Sequence, residues 1–86
     1  MTGGPIRILV ADDHPLVRAG LRALLDSVAG TEVVGEAATG EEAVEAAGAL
    51  VPDVVVMDIN MPGLNGIDAT RRIVDSRVRV RLTWAL

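Results

Sequence analysis

Three carboxylates stand where this sequence could do chemistry with them. Asp12 and Asp13 follow the apolar run Ile8-Leu9-Val10-Ala11, and Asp58 follows Val54-Val55-Val56-Met57 and leads through Ile59-Asn60-Met61 into Pro62-Gly63. An acid that ends a buried strand lies at the strand's carboxyl end, where open parallel sheets bind ligands. If the two strands are neighbours, Asp12, Asp13 and Asp58 converge on one crevice. Their mutual repulsion is then relieved most directly by a bound cation, and all-oxygen donors suit a hard divalent ion.

The elements that must hold these acids follow from periodicity and punctuation. Residues 1–5 are expected to form a flexible tail, since Gly3-Gly4-Pro5 supports neither a ladder nor a helix. Ile6 to Ala11 reads as the first strand. Pro15 suits the first turn of a helix, with Asp13 or His14 near the cap and Leu16, Val17, Leu21, Leu24 and Leu25 as one apolar stripe to about Ser27. Gly30 breaks the chain before a short second strand, Glu32 to Glu36. Thr39 with Glu42 three residues on is a capping box ahead of Ala43, Val44, Ala46, Ala47 and Leu50. A third strand over 53–58 follows Pro52. Ile67, Thr70, Arg71, Ile73 and Val74 then have helical spacing to about Ser76, and 78–83 alternates apolar and charged residues as a fourth strand. Strands alternating with helices in this way give right-handed crossovers and a parallel sheet with helices on both faces, of order 2-1-3-4. That order puts the first and third strands together at the topological switch point.

Composition sets bounds. At 86 residues there is room for one domain, and a chain of this size buries only roughly 60% of its unfolded surface. With no Phe or Tyr and one Trp, the core is expected to be Val, Leu, Ile and Ala. There is no Cys, hence no disulfide framework or thiolate metal site, in keeping with a reducing compartment. No basic leader or long apolar run points to a signal peptide or a membrane span. The net charge of -4 does not favour nonspecific nucleic-acid binding. Every basic residue is Arg, and Arg71, Arg72, Arg77, Arg79 and Arg81 crowd the end of the chain, most simply as a solvated helix end and strand face. Taken singly, Asp12 and Asp13 could be helix caps, Asp58 a turn acid, and His14 a capping or surface residue rather than a ligand.

Together the motifs resemble a bacterial response-regulator receiver domain of a two-component system. Val10-Ala11-Asp12-Asp13-His14-Pro15-Leu16-Val17-Arg18-Ala19-Gly20-Leu21 is similar to the opening of receivers that precede a LuxR/NarL-type helix-turn-helix. Met57-Asp58-Ile59-Asn60-Met61-Pro62-Gly63-Leu64-Asn65-Gly66 resembles the family's D-x-x-M-P-x-x-[ND]-G loop. The resemblance implies a flavodoxin-like, three-layer αβα fold. It implies that Asp58 accepts a phosphoryl group from a sensor histidine kinase. It further implies that Mg²⁺ is held by Asp13, Asp58 and the backbone carbonyl of Asn60, with Asp12 helping through a water, and that Thr83 hydrogen-bonds a phosphoryl oxygen. Where this sequence departs from the family, Arg79 and Arg81 interrupt the fourth strand and the chain has no Lys.

The expectation is therefore a C-terminally truncated receiver over 6–86, with the fifth strand, the last two helices and any DNA-binding domain missing. It is expected to be cytoplasmic, a phosphoacceptor rather than a turnover enzyme, and to bind neither nucleic acid nor membrane. The bare edge of the fourth strand would favour a homodimer, and without the family's strand-five lysine phosphorylation would not work as a normal switch. The alternatives are a phosphorylation-independent interaction or dimerisation module, or a truncated gene product without function.

Overall fold

A computed structural model of the chain describes residues 4–59, 61, 63, 66–74 and 79–83, with the side chains of 66, 74 and 79–83 excepted. In chain order the elements are β1 (Ile6–Ala11), α1 (Pro15–Asp26), β2 (Thr31–Ala37), α2 (Gly40–Leu50), β3 (Val54–Asp58), α3 (Gly66–Val74) and β4 (Arg79–Thr83). Among the described residues the strands form one parallel sheet of order β2-β1-β3-β4, as the strand-helix alternation requires. The expected tail falls partly, and Asn60, Pro62, Asn65 and Trp84 fall wholly, outside the described residues.

Side-chain alternation along β1 sorts the core into two layers. Leu9 and Ala11 join Val55, Met57, Ala43, Ala47, Ala69 and Ile73 on the α2/α3 face, whereas Ile8 and Val10 meet Val33, Val56, Leu21 and Leu25 on the α1 face. A strand covered on both faces must be apolar at every position, which explains the unbroken Ile8-Leu9-Val10-Ala11 run. Met57 and Met61 are also buried, so the core is not built of aliphatic residues and Ala alone. Their unbranched thioethers fill space that aromatic rings would occupy elsewhere.

The stripe expected on α1 is only partly covered. Leu21 and Leu25 pack against the sheet, yet Leu16 is 89% and Leu24 62% exposed, and no residue of α1 is fully buried. One helix laid on β1 and β2 presents a narrower face to the sheet than its apolar arc, so the flanks of that arc stay in water.

Local chemistry sets the element ends. Thr39 accepts from the Glu42 amide at 3.1 Å, as the capping box requires, but the Glu42 carboxylate reaches past Thr39 to the Ala38 amide at 2.9 Å. The β3 strand starts at Val54 rather than Asp53, because the Asp53 carboxylate accepts from the Arg7 amide at 2.8 Å and serves as a polar clasp below the ladder. On β2 the register passes from Ile8–Val33 to Leu9–Gly35, leaving Val34 as a bulge. A Cβ at Gly35 would lie 2.6 Å from Leu50 Cδ1, so the residue after the bulge is one that lets the end of α2 close onto the sheet.

Candidate functional site

The crevice is made by the ends of β1 and β3. Their register pairs Ala11 with Met57, so the next residues, Asp12 just past β1 and Asp58 at the last position of β3, stand side by side at the carboxyl ends of the two strands. Both are buried, Asp58 completely. The Asp12 amide donates to Ala37 O at 2.9 Å, and the Asp12 carbonyl accepts from Arg18 Nη1 at 2.8 Å, so β2 and α1 both hold the backbone at the start of the site loop. Arg18 also donates through Nε to Glu36 Oε1 at 2.9 Å, and Arg22 shares that carboxylate.

His14 occupies the N-cap of α1 with extended backbone, and Pro15 begins the helix. Asp12 Oδ1 accepts from the His14 amide at 2.8 Å, an Asx-type turn that fixes where the imidazole can hang. The result places Nδ1 at 2.9 Å from Asp12 Oδ1, 3.1 Å from Asp13 Oδ1 and 3.7 Å from Asp58 Oδ2. The Asp12 hydrogen bond, and then the Asp13 charge, raise the imidazole pKa above its usual 6.5, with smaller support from the charges of Asp12 and Asp58 against the cost of desolvation. Sequence reasoning gave His14 no part in the crevice. Its signal was adjacency to the Asp pair, and that signal is ambiguous because the same position is a helix cap.

Asp12, Asp13, His14 and Asp58 thus each offer a donor atom within 4.8 Å of the others. Asp13 Oδ1 is buried and accepts no hydrogen bond, which leaves a lone-pair oxygen turned to the crevice. A divalent cation fits this set, since carboxylate oxygens are the donors that hard ions take. Across the site, Thr83 is the β4 register partner of Asp58. Its side chain and the Asn60 carbonyl lie outside the described atoms. Gly63 has φ +74, a conformation that favours glycine, and a Cβ there would meet the end of the Glu41 side chain at 2.8 Å.

An acid crevice at the switch point of a 2-1-3-4 parallel sheet defines a receiver-type protein. The chain matches the family model of the response regulator receiver domain over residues 8–83, and it belongs to that family. It is 49% identical over 77 residues to the response regulator UvrY of Escherichia coli, covering 90% of this chain and 35% of that protein. A two-component response regulator of the LuxR family from Aurantimonas sp. superposes with a TM-score of 0.88 at 42% identity, covering 94% of this chain and 59% of that one. The CheX–CheY–BeF3–Mg complex from Borrelia burgdorferi contains a chain matching at TM-score 0.87 and 33% identity, covering 98% of this chain and 65% of that one. The chain spans about a third of the length of UvrY. No helix among the described residues is long and apolar enough to cross a membrane.

Proposed function

We propose that this chain is a phosphoacceptor receiver, with Asp58 the residue phosphorylated and Asp12 and Asp13 the acids that, with Asp58, hold Mg²⁺. The observation that carries this reading is the convergence of Asp12, Asp13 and Asp58 at the β1/β3 switch point. An Asp58 oxygen attacks phosphorus while the bond from phosphorus to the phosphohistidine nitrogen of a sensor kinase breaks, and the leaving imidazole recovers a proton from solvent. A divalent ion, when bound, supplies the positive charge that lets an anionic nucleophile approach phosphoryl oxygens. This chain's own part is positional. The β1/β3 register sets Asp58 beside Asp12, and Arg18 and the Ala37 carbonyl hold the Asp12 backbone. Support for the Mg²⁺ reading comes from the donor chemistry and from the Borrelia relative, whose complex contains BeF3 and Mg.

Incubation with acetyl phosphate and Mg²⁺ tests the reading by intact-mass spectrometry. One phosphoryl adduct is expected, absent with chelator and absent in Asp58→Asn. An adduct that persists in Asp58→Asn would overturn the choice of nucleophile.

A further inference from the structure

The cation reading above uses carboxylates only, yet the crevice holds a fourth donor. His14 Nδ1 lies 2.9 and 3.1 Å from Asp12 Oδ1 and Asp13 Oδ1, and 3.7 Å from Asp58 Oδ2. For metal–ligand bonds of about 2.1 Å, two donors lie about 3.0 Å apart when set at right angles and about 3.4 Å apart at the tetrahedral angle. The imidazole nitrogen therefore already stands from each carboxylate oxygen at roughly the spacing of two ligands on one ion. The Asx turn from Asp12 and the fixed start of α1 at Pro15 hold it there, so reaching that position requires no rearrangement of the backbone.

We propose that His14 is a ligand of this cation site, making it a mixed nitrogen–oxygen site that selects first-row transition dications over Mg²⁺. The proposal rests on the cation reading of the same crevice. Mg²⁺ favours oxygen donors and retained waters, whereas imidazole suits ions later in the series, for which affinity rises from Mn²⁺ through Co²⁺ to Ni²⁺. A second reading of the same geometry makes His14 a spacer that merely hydrogen-bonds Asp12. The two readings differ in one respect: removal of a spacer changes all cations alike, and removal of a ligand changes the nitrogen-preferring ions selectively.

Calorimetric titration of the chain with Mg²⁺ and Ni²⁺, repeated on His14→Ala and His14→Gln, separates them. Loss of an outer-shell partner alone costs about 10- to 100-fold in metal affinity, so loss of a ligand should weaken Ni²⁺ binding by at least roughly tenfold. Mg²⁺ binding should stay unchanged or tighten. Pulsed EPR of Mn²⁺ on the unmutated chain gives a readout independent of variant folding: modulation from a directly bound ¹⁴N is expected. Absence of nitrogen coupling, or equal weakening of Ni²⁺ and Mg²⁺ in both variants, overturns the role of His14 and leaves the carboxylate site standing. A chain that takes up neither ion overturns the cation reading itself along with it.

Discussion

Replacing Asp58 by Asn should make the ion-free protein more stable, a consequence opposite to that of most buried substitutions. Asn keeps the shape of the carboxylate and one acceptor oxygen, while removing one of three negative charges whose donor atoms lie within 4.8 Å of one another. At that separation each like-charge pair costs about 1 kcal/mol in water and about 3.5 kcal/mol at an effective dielectric of 20. Asp58 takes part in two such pairs, with Asp12 and Asp13, and His14 screens both from its place among them. With His14 neutral, at a pH above its raised pKa, even the aqueous limit gives about 2 kcal/mol, and for a chain of this size that is on the order of 10 °C in Tm. Saturating Mg²⁺ should close the gap from the other side, since ligand at 100 times Kd adds about 2.7 kcal/mol to the native state that binds it. The assay is a set of thermal melts followed by circular dichroism, wild type and Asp58→Asn, in chelator and in Mg²⁺. Wild type should rise with Mg²⁺, and the variant should start high and barely respond. If Asp58→Asn melts no higher than wild type in chelator, or gains as much from Mg²⁺, charge repulsion is not what the crevice stores.

Two further outcomes concern the scaffold. Val51, the C-cap of α2, has φ 47 and ψ 60, a left-handed conformation that a β-branched residue adopts reluctantly. Relief of about 1–2 kcal/mol of that cost, less about 0.5–1 kcal/mol for the added freedom of glycine in the unfolded chain, should make Val51→Gly more stable by roughly 1 kcal/mol in urea unfolding; a loss would show that the valine packs usefully. The Glu36 carboxyl is held below its usual 4.5, first by the Arg22 hydrogen bond and then by Arg18. A lowered folded pKa contributes stability that is present above 4.5 and lost as pH falls through the folded value. Acid titration of wild type and Glu36→Gln by denaturant midpoint should show the steeper decline below 4.5 in wild type, and parallel curves would mean the Arg pair contributes nothing.

Much of the fold was legible because its signals are local. The valine run before Asp58, the Thr39 cap and the Pro15 helix start depend on residues within one turn or one strand, and each element formed where those residues stand. The convergence of Asp12, Asp13 and Asp58 was legible too, since chain order with right-handed crossovers leaves little choice about which strands are neighbours. Other features depended on distances that no spacing encodes. Burial of α1 depends on how much of its arc one pair of strands can cover, so Leu16 and Leu21 look alike in sequence and differ in the fold. His14 joined the acids because the Asp12 carboxylate captures its amide and turns the ring inward. The reach of Glu42 to Ala38 instead of Thr39 is a side-chain choice between two amides one residue apart.

The pairing of Ala11 with Met57 limits where this chain tolerates a change in length. A residue inserted or deleted within β1 or β3 would slide one acid along the sheet by a full step and turn it to the opposite layer, since successive side chains alternate in direction. Asp12 and Asp58 would then no longer stand side by side, even if every apolar contact were remade. The turns at the other end of the sheet, around Gly30 and around Pro52, carry no such requirement. Length variation among functional versions of this fold should gather at that far end, with the two strand segments beside the acids keeping a fixed count.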